Sequence, residues 1–232
     1  MQRKIIHILF LVGGLLGGGI MAVNVHADAP PSAADAEKAA KEAAKAEAIK
    51  APPADGAMLA NTCAGCHGTN GVSAGPGMPS IAGMPSDYLQ NIMAEFKSDK
   101  RPSTIMGRLA RGYTVEETKR ISDYLANTKW VNVESHPNSV LATKVNVEKA
   151  MRGEKLVDEN KCAKCHENNG VTQDDETPRM AGQWLDYLLI KMQDYKNKHL
   201  VIPQPHKMQK AIANLTVQEL EDIAHFYASI KR

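Results

Sequence analysis

Two short motifs contain the residues of this chain that are best suited to chemistry. Each has two cysteines separated by two residues and followed at once by a histidine, at residues 63–67 and again at 162–166. Two thiols at this spacing can add to the two vinyl groups of a porphyrin, while the adjacent histidine binds its iron. The motifs therefore predict two covalently bound haem c groups. The residues assigned to them are Cys63, Cys66, His67, Cys162, Cys165 and His166.

A zinc site, a thioredoxin-like redox site and coincidence each account for the motifs less well. A structural zinc site uses two Cys-x-x-Cys pairs about 15 to 20 residues apart, whereas these pairs lie 99 residues apart. A thioredoxin-like redox motif needs a βαβ context, and the chain has no alternating β-branched runs. From four cysteines and eight histidines in 232 residues, chance would produce one such motif with a probability of roughly 0.002. Two motifs in phase with a repeat therefore indicate haem attachment.

The motifs are part of an internal repeat. An offset of 99 residues aligns Pro79 with Pro178, and after three inserted residues an offset of 102 aligns Met106 with Met208. Further aligned pairs are Tyr88 with Tyr187, Met93 with Met192, Thr114 with Thr216 and Tyr124 with Phe226. A repeat of this length predicts two homologous modules, each large enough to be a small domain.

The modules are expected at residues 55–135 and 136–232, because turn formers around Pro137 interrupt the helical pattern. Apolar residues in both modules have helical spacing, which predicts an all-α fold with three main helices per module. In the first module the first helix ends in the haem motif and the second covers about Ser86 to Lys97. The third begins after the capping-box pattern at Thr114.

The N-terminal segment has the pattern of an export signal. Arg3 and Lys4 precede the apolar run Ile5–Met21, and the small-x-small pattern Val25-His26-Ala27 follows. These features predict a signal peptide at residues 1–27, cleaved on export to the periplasm. The apolar run is also about long enough to cross a bilayer, so an uncleaved membrane anchor is the alternative.

Residues 28–54 are rich in Ala, Lys and Glu and contain no aromatic residue. So little apolar surface cannot offset the entropy of ordering the chain, and we interpret this segment as a solvated tether. The formal net charge of the chain is only +2. That charge is too small for a generic nucleic-acid binder.

A second axial ligand must complete the coordination of each iron. No histidine lies between Gly68 and Ser135, so methionine is the natural donor in the first module. Requiring a methionine at the equivalent place in both modules removes Met78 and Met84, which align with a threonine and a glutamine. The pairs that remain are Met93 with Met192 and Met106 with Met208.

Residues 54–232 resemble a dihaem class I cytochrome c of the c4 type. They are more similar still to the cytochrome subunit of flavocytochrome c sulfide dehydrogenase, in the segments Ser103–Tyr113, Ala181–Tyr187 and Phe226–Ser229. The resemblance implies two tandem class I modules, each wrapped around one haem. It also implies single-electron transfer without a catalytic residue, beside an FAD-containing sulfide dehydrogenase subunit. The alternatives are a freestanding c4-type carrier to a terminal oxidase or reductase and, less favoured, a dihaem peroxidase.

The resemblance also assigns the remaining site residues. Met106 and Met208 occupy the connection before the last helix, where the family's axial methionine resides, so we choose this pair. His199 and His206 lie near Met208 and are alternative ligands for the second iron. Pro79 and Pro178 each follow their haem-binding histidine by 12 residues. In the class I arrangement the carbonyl of this proline accepts a hydrogen bond from the histidine Nδ1.

Overall fold

The computed structural model describes residues 32–34, 36–38, 41, 54–171 and 177–231. The chain divides into two compact units, Met1–Pro52 and Pro53–Arg232. In the first unit the described residues after Ser32 are helical, and Lys41 forms an exposed ion pair with Glu37 at 2.7 Å. The predicted signal peptide and most of the predicted tether lie outside the described residues.

The first half of the second unit is helical. Its helices are α1 (Gly56–Ala60), α2 (Ala64–His67), α3 (Ser86–Lys97), α4 (Met106–Arg111) and α5 (Val115–Ala126). Short 3-10 turns at Asn61–Cys63 and Thr69–Gly71 flank α2. The three predicted main helices of this module correspond to α1 with α2, α3 and α5.

The second half repeats this order after a connection that contains the 3-10 turns Val133–Ser135 and Pro137–Leu141. Its helices are α6 (Val147–Glu159), α7 (Glu167–Gly170), α8 (Leu185–Lys196), α9 (His206–Asn214) and α10 (Val217–Ser229). The described residues contain no β-strand, which confirms the all-α prediction. None of the helices in the described part of the chain is long and apolar enough to cross a membrane. The module boundary near residue 136 stays a prediction.

Both predicted capping boxes are present. The Thr114 hydroxyl accepts a hydrogen bond from the Glu117 N–H at 3.1 Å, and the Glu117 carboxylate accepts one from the Thr114 N–H at 2.8 Å. Thr216 and Glu219 make the same two bonds at 3.2 and 2.7 Å. Each box satisfies N–H groups that a helix start leaves without a partner, which explains why α5 and α10 begin where they do.

The methionine segments differ from the prediction. Met106 is the first residue of α4, and Met208 lies in the first turn of α9, so neither residue is in an irregular loop. The Ser103 hydroxyl accepts a hydrogen bond from the Gly107 N–H at 2.8 Å and so supports the start of α4. Each module therefore has a short helix before its last helix that the apolar pattern did not reveal.

In each module the first and last helices cross at a glycine. A Cβ atom on Gly56 would lie 2.4 Å from the Arg120 carbonyl oxygen, and one on Gly153 would lie 2.0 Å from the Asp222 carbonyl oxygen. Real Cβ atoms essentially never approach other atoms this closely. Glycine therefore allows α1 to pack on α5 and α6 on α10 at backbone contact.

The two modules have unequal protein cores. Among the described residues, the core of the first module contains five buried apolar residues, Ala60, Met84, Leu89, Ile121 and Leu125. The core of the second contains thirteen, most of them from α8 and α10. A domain of this size with so small a core is marginal by itself. The first module therefore depends more strongly on a bound apolar group to complete its interior.

The modules interlock through the segment before α8. The Ser80 N–H donates to Gln183 Oε1 at 3.0 Å, and Gln183 Nε2 donates to the Ser80 carbonyl at 2.9 Å. The neighbouring Trp184 ring is 1% exposed and lies on Gly75, where a Cβ atom would come within 2.3 Å of the ring. These buried contacts join residues more than 100 positions apart, so the two modules form one packed body.

Candidate functional site

The first motif lies on a tight helical turn. Cys63 ends the 3-10 turn before α2, whereas Cys66 and His67 lie within α2. Cys63 is half-buried and Cys66 is exposed, and neither forms a disulfide. Burial raises the pKa of the Cys63 thiol. Two thiols on one turn, one facing inward and one outward, fit attachment to the two vinyl groups at the edge of a porphyrin.

His67 makes the contact with Pro79 that the class I resemblance implies. Its Nδ1 lies 2.9 Å from the Pro79 carbonyl oxygen. In the neutral imidazole Nδ1 donates this hydrogen bond, which leaves Nε2 available for iron. Burial lowers the pKa of His67, and the bond to Pro79 offsets part of that shift. The ring is thus held neutral and oriented as an axial ligand requires.

The second motif has a different backbone. Cys162 begins a 3-10 turn after Lys161, which has a φ of 57°, and Cys165 follows that turn with a φ of −120°. Cys162 is half-buried and Cys165 is exposed, as in the first motif. The chain then has a ψ of 64° at His166, so the helical turn that holds His67 is not reproduced here.

This backbone difference changes the environment of His166. Its Nδ1 is buried and has no hydrogen-bond partner among the described residues. Among the described residues no hydrogen bond joins His166 to the Pro178 carbonyl, unlike His67 and Pro79, and the role of Pro178 stays a prediction. Burial lowers the pKa of His166, so this imidazole is also neutral.

The candidate methionines differ in how deeply they are buried. Met84 and Met192 are buried in the cores, and the Met84 sulfur accepts a hydrogen bond from the Arg179 N–H at 3.3 Å. Met106 and Met208 are half-buried. Met93 is half-buried as well, so burial does not separate it from Met106, and the roles of Met106 and Met208 as ligands stay predictions.

The alternative ligands of the second iron differ from Met208 in exposure. His199 and His206 are both exposed, and His206 is the first residue of α9. The Met208 side chain, two residues further on, packs against the core of the second module. Met208 stays the predicted second ligand, with His199 and His206 as the alternatives.

Sequence reasoning did not identify Tyr227, which lies beside His166. The two rings have centroids 6.3 Å apart and planes at 63°. Tyr227 is 1% exposed, and its hydroxyl has no hydrogen-bond partner among the described residues. Tyr227 aligns with Leu125 in the repeat. The sequence signal for this residue was therefore a hydroxyl-bearing side chain where the first module has an apolar one.

The donor set of each site fits a covalently attached haem. Each contains two thiols and a neutral imidazole, which are groups that hold haem c, and Met106 and Met208 stay the predicted thioether donors. The unpaired Nδ1 of His166 and hydroxyl of Tyr227 show that the second site has buried polar atoms available to a bound group. Among the described residues, no three His, Cys, Asp or Glu side chains gather as an alternative metal site.

Comparison with known proteins agrees with this geometry. The sequence profile of the cytochrome c family matches residues 53–129 and 150–231. A cytochrome subunit of sulfide dehydrogenase from Chlorobaculum tepidum is 46% identical over 72 residues, which are 31% of this chain and 64% of that relative. The chain thus spans slightly less than two thirds of this relative. Cytochrome c4 from Pseudomonas aeruginosa is 28% identical over 162 residues, 69% of this chain and 79% of that protein.

A solved structure shows the same fold. Reduced recombinant cytochrome c4 from Pseudomonas stutzeri matches with a TM-score of 0.64 at 20% identity, covering 76% of this chain and 97% of that structure. This likeness confirms the predicted tandem arrangement. The two family matches and the two motifs also confirm the predicted cofactor, so each module binds one haem c covalently.

The residues of the two sites have a simple role in electron transfer. Bound haem supplies an iron that gains or loses one electron without bond cleavage. Cys63, Cys66, Cys162 and Cys165 are the attachment cysteines of the two motifs, and His67 and His166 stay the predicted nitrogen ligands of the irons. The chain is therefore a dihaem electron-transfer protein. Because the matched segments cover most of its length and each contains one attachment motif, the chain belongs to the cytochrome c family.

Proposed function

We propose that this chain is the electron-accepting haem subunit of a sulfide dehydrogenase, and that it works beside an FAD-containing flavoprotein subunit. The support is the 46% identity over 72 residues with the Chlorobaculum tepidum cytochrome subunit. In this proposal sulfide is oxidised on the flavoprotein. The dihaem chain takes the electrons away singly and passes them to another periplasmic redox protein or a terminal oxidase.

The observation that carries this proposal is the packing of two haem-binding modules into one body. Oxidation of sulfide to zero-valent sulfur releases a pair of electrons, whereas each haem accepts one. The Ser80–Gln183 hydrogen bonds and the Trp184–Gly75 contact hold the two modules together. Both electrons of one turnover can therefore be stored on a single partner chain.

A non-catalytic role agrees with the donor sets. A haem that binds both an imidazole and a thioether has no free coordination position for a substrate. Met106 and Met208 are the proposed thioether donors. A dihaem peroxidase would need one iron with an open position, and the half-buried Met208 beside the second core argues against that function.

Location in the periplasm is part of the proposal. The charged start, apolar run and Val25-His26-Ala27 pattern of the N-terminal segment support export with cleavage after Ala27. Intact mass of the purified haem protein tests this directly. A mature chain that begins at Asp28 is expected, and retention of residues 1–27 would favour a membrane anchor instead.

The second candidate is a freestanding c4-type carrier that delivers electrons to a terminal oxidase or reductase. The observation in its favour is the match with cytochrome c4 of Pseudomonas aeruginosa, which covers 69% of this chain at 28% identity. The haem motifs are the same in both cases. The two candidates differ in whether a flavoprotein stays bound.

The test is gel filtration of the native protein, purified gently from the periplasm, with flavin and haem absorbance followed together. We expect flavin to elute with haem in a complex heavier than the 25.2 kDa chain, and sulfide to reduce both haems in that fraction. The isolated chain mixed with sulfide is the control for direct chemical reduction. A flavin-free haem peak at the size of the chain alone would support the freestanding carrier.

A further inference from the structure

One peptide group of the first module is hydrogen-bonded at both ends, and one of its two partners belongs to the second module. Its carbonyl, from Pro79, lies 2.9 Å from Nδ1 of His67. Its N–H, from Ser80, donates to Oε1 of Gln183 at 3.0 Å. A chain of hydrogen bonds therefore runs from a side chain of the second module, through a single peptide group, to the predicted axial histidine of the first module.

The Gln183 side chain is held so that its oxygen faces the Ser80 N–H. It is 1% exposed, and its Oε1 also accepts a hydrogen bond from the Trp184 N–H at 3.1 Å. Its Nε2 donates to the Ser80 carbonyl at 2.9 Å. Two N–H donors meet one end of the amide and a carbonyl meets the other, which fixes which end is the oxygen. The acceptor on this peptide group is therefore buried and has one orientation.

The repeat places a weaker acceptor at the corresponding contact. Met84 aligns with Gln183 at the offset of 99 residues, and Ser80 aligns with Arg179. The Arg179 N–H donates to the Met84 sulfur at 3.3 Å, so each module lends one side chain to the peptide group that follows the proline of the other. A thioether sulfur is only a weak acceptor. The peptide group between Pro79 and Ser80 is therefore the more strongly polarised of the two.

We propose that Gln183 is a positioning residue for His67, and that through it the second module adjusts the reduction potential of the haem bound in the first module. Hydrogen bonds in a chain polarise one another and strengthen by about 10–30% per bond. The bond from the Ser80 N–H to Gln183 makes the Pro79 carbonyl oxygen a stronger acceptor. That oxygen then holds the Nδ1 proton of His67 more tightly.

This chain of hydrogen bonds has an electronic consequence. A stronger acceptor at Nδ1 raises the basicity of the imidazole as an iron ligand. A more basic ligand stabilises Fe(III) over Fe(II), so the polarised peptide group lowers the reduction potential of the first module's haem. Loss of the Gln183 oxygen should therefore raise that potential. The inference holds whichever redox partner the chain serves.

The test is the substitution Gln183→Met in the haem-loaded full chain, because methionine has a similar length and offers the weak acceptor that Met84 offers to Arg179. The potential of each haem is followed separately by NMR of the haem methyl groups during a redox titration. At fixed solution potential we expect the reduced-to-oxidised ratio of the first module's haem to rise roughly threefold, a shift of about 28 mV. The potential of the other haem should not change.

Trp184→Phe is the matched control. The Trp184 Nε1–H donates to the Ser73 carbonyl at 3.3 Å, so this substitution removes a different hydrogen bond between the same two segments. It leaves the acceptor on the Ser80 N–H in place, and we expect neither potential to shift. An unchanged potential in Gln183→Met would overturn the proposal. An equal shift of both haems, or an equal rise in Trp184→Phe, would also overturn it, because loosened contact between the modules would then be a sufficient cause.

The Nδ1 proton of His67 reports on the same chain without a potential measurement. In the reduced, diamagnetic state we expect its NMR resonance to move to lower frequency in Gln183→Met, because its hydrogen bond becomes weaker. The resonance should stay at its wild-type position in Trp184→Phe. An unmoved resonance in Gln183→Met would show that Gln183 does not act on His67.

A measurement on the unsubstituted protein applies even if Gln183→Met does not retain haem. We expect the Ser80 N–H to exchange slowly with solvent. We also expect a scalar coupling through the hydrogen bond between the Ser80 amide nitrogen and the side-chain carbonyl carbon of Gln183. Rapid exchange of this N–H, or the absence of that coupling, would overturn the proposal.

Discussion

The crossing of α6 and α10 predicts a large effect from one methyl group. In Gly153→Ala the new Cβ would lie 2.0 Å from the Asp222 carbonyl oxygen and 2.9 Å from the Phe226 Cβ. Real Cβ contacts do not fall below 3.0 Å, so the two helix backbones must separate by about 1 Å. Because the opposing atom is backbone, no side-chain rotation relieves this contact.

The magnitude follows from two opposing terms. Overpacking costs about 1–3 kcal/mol, and a backbone clash belongs at the upper end of that range. The higher helix propensity of alanine returns about 1 kcal/mol. The free energy of unfolding should therefore fall by about 2 kcal/mol, which in a chain of this size lowers the Tm by about 4–8 °C.

The assay is thermal unfolding of the haem-loaded protein in the oxidised state, followed by far-ultraviolet circular dichroism. Gly65→Ala is the matched control, since a Cβ on Gly65 has no neighbour within 4 Å and the second motif has Lys164 at that place. We expect the control to unfold at the wild-type temperature. Equal Tm values for the two variants would refute the view that α6 and α10 meet at backbone contact.

Three further substitutions test the site, the interface and the pH response. Met106→Ala should leave the first haem attached but weaken its ligation and lower its reduction potential. The weaker ligation should appear as loss of the methionine–iron charge-transfer band. Met78→Ala, at an exposed position, should change neither the ligation nor the potential. Gln183→Leu removes both hydrogen bonds to Ser80 and should lower the free energy of unfolding by about 2–4 kcal/mol. Denaturant unfolding measures this change, and an unchanged unfolding curve would contradict the described interface. His225 Nδ1 accepts a hydrogen bond from the Asn146 N–H, just before α6, at 3.0 Å, and burial lowers the pKa of His225 from 6.5. The stability that neutral His225 contributes is therefore complete above about pH 6.5. It is lost as the pH falls through the lowered pKa. His225→Gln should reduce the fall in stability below pH 6.5, and an unchanged pH profile would exclude this histidine as its cause.

Features that depend on neighbours in sequence were predictable. The capping boxes at Thr114 and Thr216 join residues three positions apart, so the letters alone reveal them. The contact of His67 with Pro79 was expected from the resemblance to class I cytochromes, which a proline 12 residues after the histidine carries. In the second motif the backbone leaves helical geometry from Cys165 onward, and the role of Pro178 beside His166 stays a prediction.

The sequence by itself determined the chemistry: its motif spacing specifies two haem attachments, and its repeat specifies two helical modules. Only the tertiary structure decided how those modules meet and how the two histidines differ. Gln183 reaches Ser80 across 103 positions, and Tyr227 comes beside His166 because α10 folds back over the motif. Such contacts depend on how whole helices pack, and the glycine crossings that set this packing are evident only when both backbones are seen together.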